Sequence, residues 1–244
     1  MFDKLKAAKE AWEKGKFVLI HDFKGRENEI DLVIPSYKVT PKHIATMRRD
    51  GGGLICVTVT HEFAHEISLP YMRAVLAMTS HRYPAISMLT SHSLPYGAKS
   101  AFSLTINHVD SFTGITDIDR AMTIAELGRI HKKFENGELK GKELLREFGD
   151  KFRSPGHVHL LRASPGLLRN RKGHTELGTA LAQLTKQPQS VSLVEMLDEK
   201  TGKALSLEDA IKYGMEQDYP LLTGEEILKL WKSIFKIPSA EFKK

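Results

Sequence analysis

Sulfur chemistry is nearly absent, since the 244 residues contain a single cysteine, Cys56. No intrachain disulfide can form, and a cysteine-based zinc site is excluded. A lone cysteine within a strand reads first as a small hydrophobe. Long apolar runs are missing too. The longest, such as Phe17-Val18-Leu19-Ile20 and Leu54-Ile55-Cys56-Val57, fall far short of the roughly 20 residues a spanning helix needs, which predicts no membrane partner. Met1 to Lys16 alternates charged and apolar residues without an apolar signal core, predicting a cytoplasmic protein. No internal repeat and no low-complexity stretch is visible.

What is there is ordinary for a globular protein: 41% hydrophobic and 27% charged residues. The formal charge of +6 comes from 36 basic and 30 acidic residues. The basic residues are dispersed, and their densest cluster, Arg169 to Lys172, sits at a loop. That distribution suits a local phosphate better than a nucleic-acid stripe.

The spacing predicts helices over 2–14, from Pro41 with Thr40 as N-cap to about Arg49, over 121–131, from about Thr175 with Thr175 as N-cap to Lys186, and over about 206–217 and 223–235, the last with a capping box from Thr223 to Glu226. Strands are predicted over Phe17–Asp22, Asp31–Ile34, Leu54–Thr60, Ser103–Asn107 and Val191–Leu197, with an extended segment over Val158–Arg162. The charge-rich stretch 131–150 reads as a solvated helix or surface insertion. Strands and helices alternate irregularly. This predicts an α+β fold, a mixed twisted sheet covered by helices, in a single domain over 1–244.

Three motifs carry chemistry. His61-Glu62-Phe63-Ala64-His65 matches the zinc-protease pattern H-E-x-x-H. It follows directly on a strand, Leu69-Pro70 limits any helix to about two turns, and no third protein ligand is signposted. It therefore reads as a short surface helix anchored by Phe63 and Ile67. Arg26-Glu27-Asn28-Glu29-Ile30-Asp31 places Glu27, Glu29 and Asp31 on one face of an extended chain. Three such carboxylates repel unless a hard cation or a bound hydroxyl compound sits among them; otherwise they form a solvated acidic loop. Arg169-Asn170-Arg171-Lys172-Gly173-His174-Thr175-Glu176 brings basic residues and a glycine to a helix start. There, free N–H groups and the positive dipole end favour phosphate, and His174 can ligate a metal. The plain alternative is a basic surface loop. Together the second and third motifs suggest a phosphate cradle beside a carboxylate–histidine metal centre, suited to a phosphorylated sugar or polyol. A nucleotide- or nucleic-acid-binding protein would explain the basic loop but not the three carboxylates on one face.

Five ordered motifs, at Arg26–Asp31, Gly52–Cys56, Phe112–Arg120, Arg153–Val158 and Gly173–Leu177, resemble 3,4-dihydroxy-2-butanone 4-phosphate synthase over about residues 10–225. The resemblance implies a homodimeric, mixed-sheet α+β enzyme that converts ribulose 5-phosphate to formate and 3,4-dihydroxy-2-butanone 4-phosphate. It implies Mg2+, with Mn2+ as a substitute, and no organic cofactor. It places the metal on Glu27 and His174. Substrate would meet Arg26, Glu27, Asp31, Thr113 and the run Arg171, Lys172, Gly173, His174 and Thr175. Catalysis would fall to His157 and Glu195, with Cys56 also in the site, and Glu29 or Asp31 fits the first proton transfer. Here Asp22-Phe23-Lys24-Gly25 is less acidic than the corresponding bacterial stretch, and Lys172 stands where many members have Gly. With the insertion at 131–150, these features resemble a monofunctional, archaeal-like branch.

Overall fold

The computed structural model describes residues 2–90, 92 and 99–236; the remaining ends of the expected unit, Met1 and 237–244, lie outside the described residues. In chain order the elements are α1 (Phe2–Glu13), β1 (Val18–His21), β2 (Ile30–Pro35), α2 (Pro41–Asp50), β3 (Cys56–Val59), α3 (His61–Glu66), α4 (Met72–Thr79), α5 (Pro84–Leu89) and β4 (Phe102–His108). Then come α6 (Asp117–Glu135), α7 (Gly141–Lys151), β5 (Phe152–Arg162), α8 (His174–Leu184), β6 (Val191–Glu195), α9 (Leu207–Gln217), β7 (Leu221–Thr223) and α10 (Gly224–Phe235).

The seven strands form one mixed sheet in the order β4-β5-β3-β6-β2-β1-β7. β3 runs parallel to β5 and β1 parallel to β7, and the other pairs are antiparallel. The central strands read as near-continuous apolar runs because both faces are covered. On one face Leu19, Leu32, Val57, Leu160 and Val194 pack with Ile44 and Met47 of α2, Ile124 and Leu127 of α6, and Phe63 of α3. On the other, Val18, Val33, Cys56, Leu161 and Leu193 pack with Trp12 of α1, Leu177 and Leu181 of α8, and Leu230 of α10. The result is helix, sheet, helix, in agreement with the expected fold class.

Helix α8 matters most for function. Every residue of it except Gln183 is buried, and a Cβ at Gly178 would come within 2.8 Å of Val191 in β6. The glycine therefore lets the helix lie close on the sheet, which brings its first residue, His174, to the end of β6 and β2.

Several sequence expectations shift. Gly173, not Thr175, occupies the N-cap of α8; Thr175 lies inside the first turn and is buried. The helix ends at Leu184, short of Lys186. Strand β7 and helices α4 and α5 were not foreseen: β7 is three residues long and α5 six, and neither helix buries a residue fully. The charged stretch 131–150 ends α6 and forms α7. Its polar sides face outward, but His131 and Leu144 are fully buried and Phe134 and Phe148 pack on the core. The His61–Glu66 segment is the short helix expected, and Thr60 caps it by accepting from Phe63 N at 3.2 Å.

Candidate active site

The turn between β1 and β2 is organised by a buried carboxylate. Asp22 accepts from Glu29 N at 3.0 Å and from Glu27 N at 3.3 Å, and Arg26 donates to it at 3.1 Å. Arg26 also lies 2.7 Å from Glu27. Entering β2, the alternation turns Asp31 onto the α8 face, where the ladder pairs it with Glu195 of β6. Cross-strand partners share a face. Glu195 is thus the last residue of an interior strand, not an edge residue.

His174 sits at the centre of these carboxylates. Its Nδ1 is 2.5 Å from Asp31 Oδ2. Its Nε2 faces Glu27 at 2.5 Å, Glu29 at 3.6 Å and Asp22 at 3.8 Å. Nε2 is buried and makes no well-directed hydrogen bond despite the close Glu27 oxygen. Two overlapping triplets, Asp22–Glu27–His174 and Glu29–His174–Glu195, each bring one ligand atom per residue within 4.8 Å of the others.

Crowding of like charge shows in the titration behaviour. Burial, then the neighbouring Asp31, pushes Glu195 up to about 7, with His174 pulling the other way. Burial also raises Glu29; His174 opposes it, and Glu27, Asp31 and Asp22 add to it. For His174, burial works against the imidazolium, but Asp31 and Glu27 outweigh it and hold the ring protonated well above its ordinary range. In this arrangement a proton supplies the positive charge that the carboxylates require.

The donor set fits a hard divalent cation. It offers carboxylate oxygens and one imidazole nitrogen, as Mg2+ and Mn2+ accept. Asp31 on Nδ1 fixes the orientation of the ring and turns Nε2 toward the remaining carboxylates, where a cation would meet it. His174 is common to both triplets, and the expected partner Glu27 stands in one of them beside Asp22, with Glu29 and Glu195 in the other.

Residues 6–230 match the family model described as 3,4-dihydroxy-2-butanone 4-phosphate synthase. The chain belongs to this enzyme family. A 3,4-dihydroxy-2-butanone 4-phosphate synthase of Methanothermobacter thermautotrophicus is 43% identical over 225 residues, covering 92% of this chain and 94% of that one. One of Archaeoglobus fulgidus is 42% identical, covering 95% of each chain. The fold is shared with a crystal structure of a 3,4-dihydroxy-2-butanone 4-phosphate synthase in complex with two magnesium ions, at a TM-score of 0.69 and 26% identity, covering 94% of this chain and 96% of that one.

The synthase chain places the remaining expected residues in two further groups. Arg171 pairs with the fully buried Glu176 at 2.5 Å, and Glu176 also accepts from Ser164 N at 3.0 Å. A Cβ at Gly173 would collide with the Arg171 guanidinium. Arg171, Lys172, Gly173 and Thr175 thus surround the amino end of α8 beside His174. The second group is built on Asn107 of β4. Its Oδ1 accepts from His157 N at 2.8 Å, its Nδ2 lies 3.2 Å from His157 Nδ1, and Nδ2 is 3.5 Å from the Thr113 carbonyl. His157 and Thr113 are exposed. No contact joins them to the His174 cluster among the described residues.

Cys56 is buried in β3 beside the carboxylates, and burial, then Glu195 and Asp31, pushes its thiol far above the ordinary range, which favours the neutral form. Asp22, Asn107 and Glu176 organise the candidate site, although the sequence reading gave them no role. Asp22 lies four residues before the acidic motif and Glu176 ends the basic one, whereas nothing in the sequence ties Asn107 to a histidine fifty positions away. His61 and His65 stack with ring centres 6.0 Å apart, but neither belongs to a metal-capable group among the described residues.

Proposed function

We propose that the chain converts ribulose 5-phosphate to 3,4-dihydroxy-2-butanone 4-phosphate and formate, using Mg2+ or Mn2+ and no organic cofactor. The observation that carries this reading is a single buried imidazole, His174, set among carboxylates at the end of a phosphate-suited loop. The five-carbon substrate equals the four-carbon product plus formic acid, so the reaction needs no oxidant, reductant or net water.

Glu27 and His174 would hold the divalent ion, with Asp22 behind them. When bound, the cation supplies Lewis-acid polarisation of adjacent carbonyl and hydroxyl oxygens, worth several kcal/mol at the transition state. Glu29 is the carboxylate best placed to take the proton at C3: Asp31 is engaged on His174 Nδ1, while Glu29 is partly exposed and raised above its ordinary range. Glu195, pushed up to about 7, can both give and take a proton near neutral pH. His157 serves the later transfers. Accepting from Asn107 on Nδ1 would leave its Nε2 carrying the proton outward. Arg171, Lys172, Gly173 and Thr175 bind the phosphate, with Arg26 and Thr113 on the rest of the sugar, so remote binding energy orients the reacting end.

His157 and Thr113 stand apart from His174, and the residues around them expose apolar surface: Phe112 is 91% exposed and Ile118 64%. That patch supports a homodimer in which this loop meets a second copy. A cytoplasmic location suits a soluble sugar phosphate, and no described helix is long and apolar enough to cross a membrane.

Incubation with ribulose 5-phosphate and Mg2+ should release formate, and EDTA should stop it. Absence of formate with either Mg2+ or Mn2+ would sink the assignment.

A further inference from the structure

A separate cavity of about 600 Å³ shares Arg171 with the phosphate loop but includes none of Lys172–Thr175 and none of the clustered carboxylates. Its polar wall comprises Arg73, Lys99, Arg162 and Arg171 with His61 and Tyr71, and no acidic residue lines it. The composition has a sequence origin: no Asp or Glu occurs between Glu66 and Asp110, the segment that supplies Tyr71, Arg73 and Lys99.

Among the described residues only one of the four cations has a counter-ion, Arg171 on Glu176. Arg73 and Arg162 spend donors on carbonyls instead, Nη1 to Ser100 O at 2.8 Å and Nη1 to Leu69 O at 2.6 Å. Those bonds fix the guanidiniums without neutralising them. The Nε groups of Arg162 and Arg171 are buried and have no partner among the described residues. Tyr71 holds both forks, with the guanidinium carbons of Arg73 and Arg162 at 4.1 and 4.7 Å from its ring centre. Prepositioned guanidinium forks suit bidentate capture of phosphate oxygens. The concavity and volume match a small-molecule site, not a nucleic-acid track.

We propose that this cavity is a second anion-binding site, distinct from the substrate's phosphate loop, for a small organic phosphate that carries closely spaced charges, such as a pyrophosphate group. Three uncompensated cations match such a ligand better than a monophosphate. Arg171 is the shared wall, so the site adjoins the reaction centre without being part of it.

The probe is inorganic pyrophosphate, titrated calorimetrically into the full chain without divalent ions at fixed ionic strength, with sulfate as the control anion. The wild type should bind one pyrophosphate in preference to sulfate. Arg73→Gln with Lys99→Gln should bind it about tenfold more weakly, as loss of two partly exposed charge contacts implies. The same double variant should keep its KM for ribulose 5-phosphate within about twofold. Equal pyrophosphate affinity in the variant, or no binding to the wild type, overturns the proposal. A parallel rise in KM also overturns it, because the cavity would then be the substrate's own. Should the double variant lose its melting transition, Lys99→Gln alone, on an exposed side chain, carries the test with about a threefold loss. Binding is read without turnover, so its failure and failure of the formate assay are separate results.

Discussion

Glu195→Gln should make the metal-free protein more stable at alkaline pH while abolishing its activity. The Glu195 carboxyl stands at about 7 in the folded chain against an ordinary value of 4.5, raised by burial and by Asp31 across the ladder. The native state therefore binds this proton more tightly than the unfolded chain does. The stability that proton contributes is complete below about pH 4.5 and is lost as the pH climbs through 7. At about 1.4 kcal/mol per unit, the difference reaches at most about 3 kcal/mol above pH 7, and solvent at the partly exposed carboxylate trims it to ~2 kcal/mol. Glutamine cannot ionise, so the variant escapes this loss. In EDTA the two proteins should melt together at about pH 4, and the variant should melt about 4–8 °C higher at about pH 8. Formate release should fall at least about 100-fold, the usual worth of a positioned proton carrier. A stability difference that does not vary with pH, or a wild type more stable than the variant at pH 8, would refute the electrostatic reading. Near-normal turnover would refute the role.

The same reasoning predicts that Mg2+ raises the melting temperature more at pH 8 than at pH 6, because the ion replaces the proton on His174 and neutralises the surrounding carboxylates; calorimetry across that range checks it. Asp31→Asn should weaken Mg2+ binding about 10- to 100-fold by releasing the His174 ring, with Glu27 untouched; unchanged affinity in a metal titration would remove Asp31 from that role. His61→Ala with His65→Ala should leave formate release within about twofold, since α3 is a capped surface helix, whereas total loss would revive the zinc reading.

The candidate site was legible in the sequence because it is local twice over. Glu27, Glu29 and Asp31 obey a two-residue period, and His174 follows a glycine at a helix start, so two short stretches carry nearly all of it. That they meet was not legible from either stretch. It depends on β2 pairing β6 and on Gly178 letting α8 lie on the sheet, both set by contacts far apart in the chain. The same gap explains Thr175: a threonine before an apolar run reads as a cap, but the helix begins at His174, so Gly173 takes the N-cap and Thr175 is buried in the first turn. Helix α5 spans only six residues, too short to show a period, whereas α4 carries Met72, Val75, Leu76 and Thr79 at helical spacing on its half-buried side, a signal the sequence reading passed over.

The sheet register explains how five carboxylates and His174 gather at the end of a hydrophobic core. Val33, Leu193 and Cys56 lie on the α8 face, and Asp31 and Glu195 are the next residues on that same face, two positions further along β2 and β6. The apolar ladder thus runs directly into the acidic cluster, with Cys56 as the neutral group at the boundary. The core supplies rigidity and low dielectric, which raise Glu195 and Glu29 and hold His174 in one orientation. Moving the register of β2 by one residue would turn Asp31 to the opposite face and leave His174 Nδ1 without its partner. The chemistry therefore depends on strand alignment as much as on residue identity, and Asp31 joins the two.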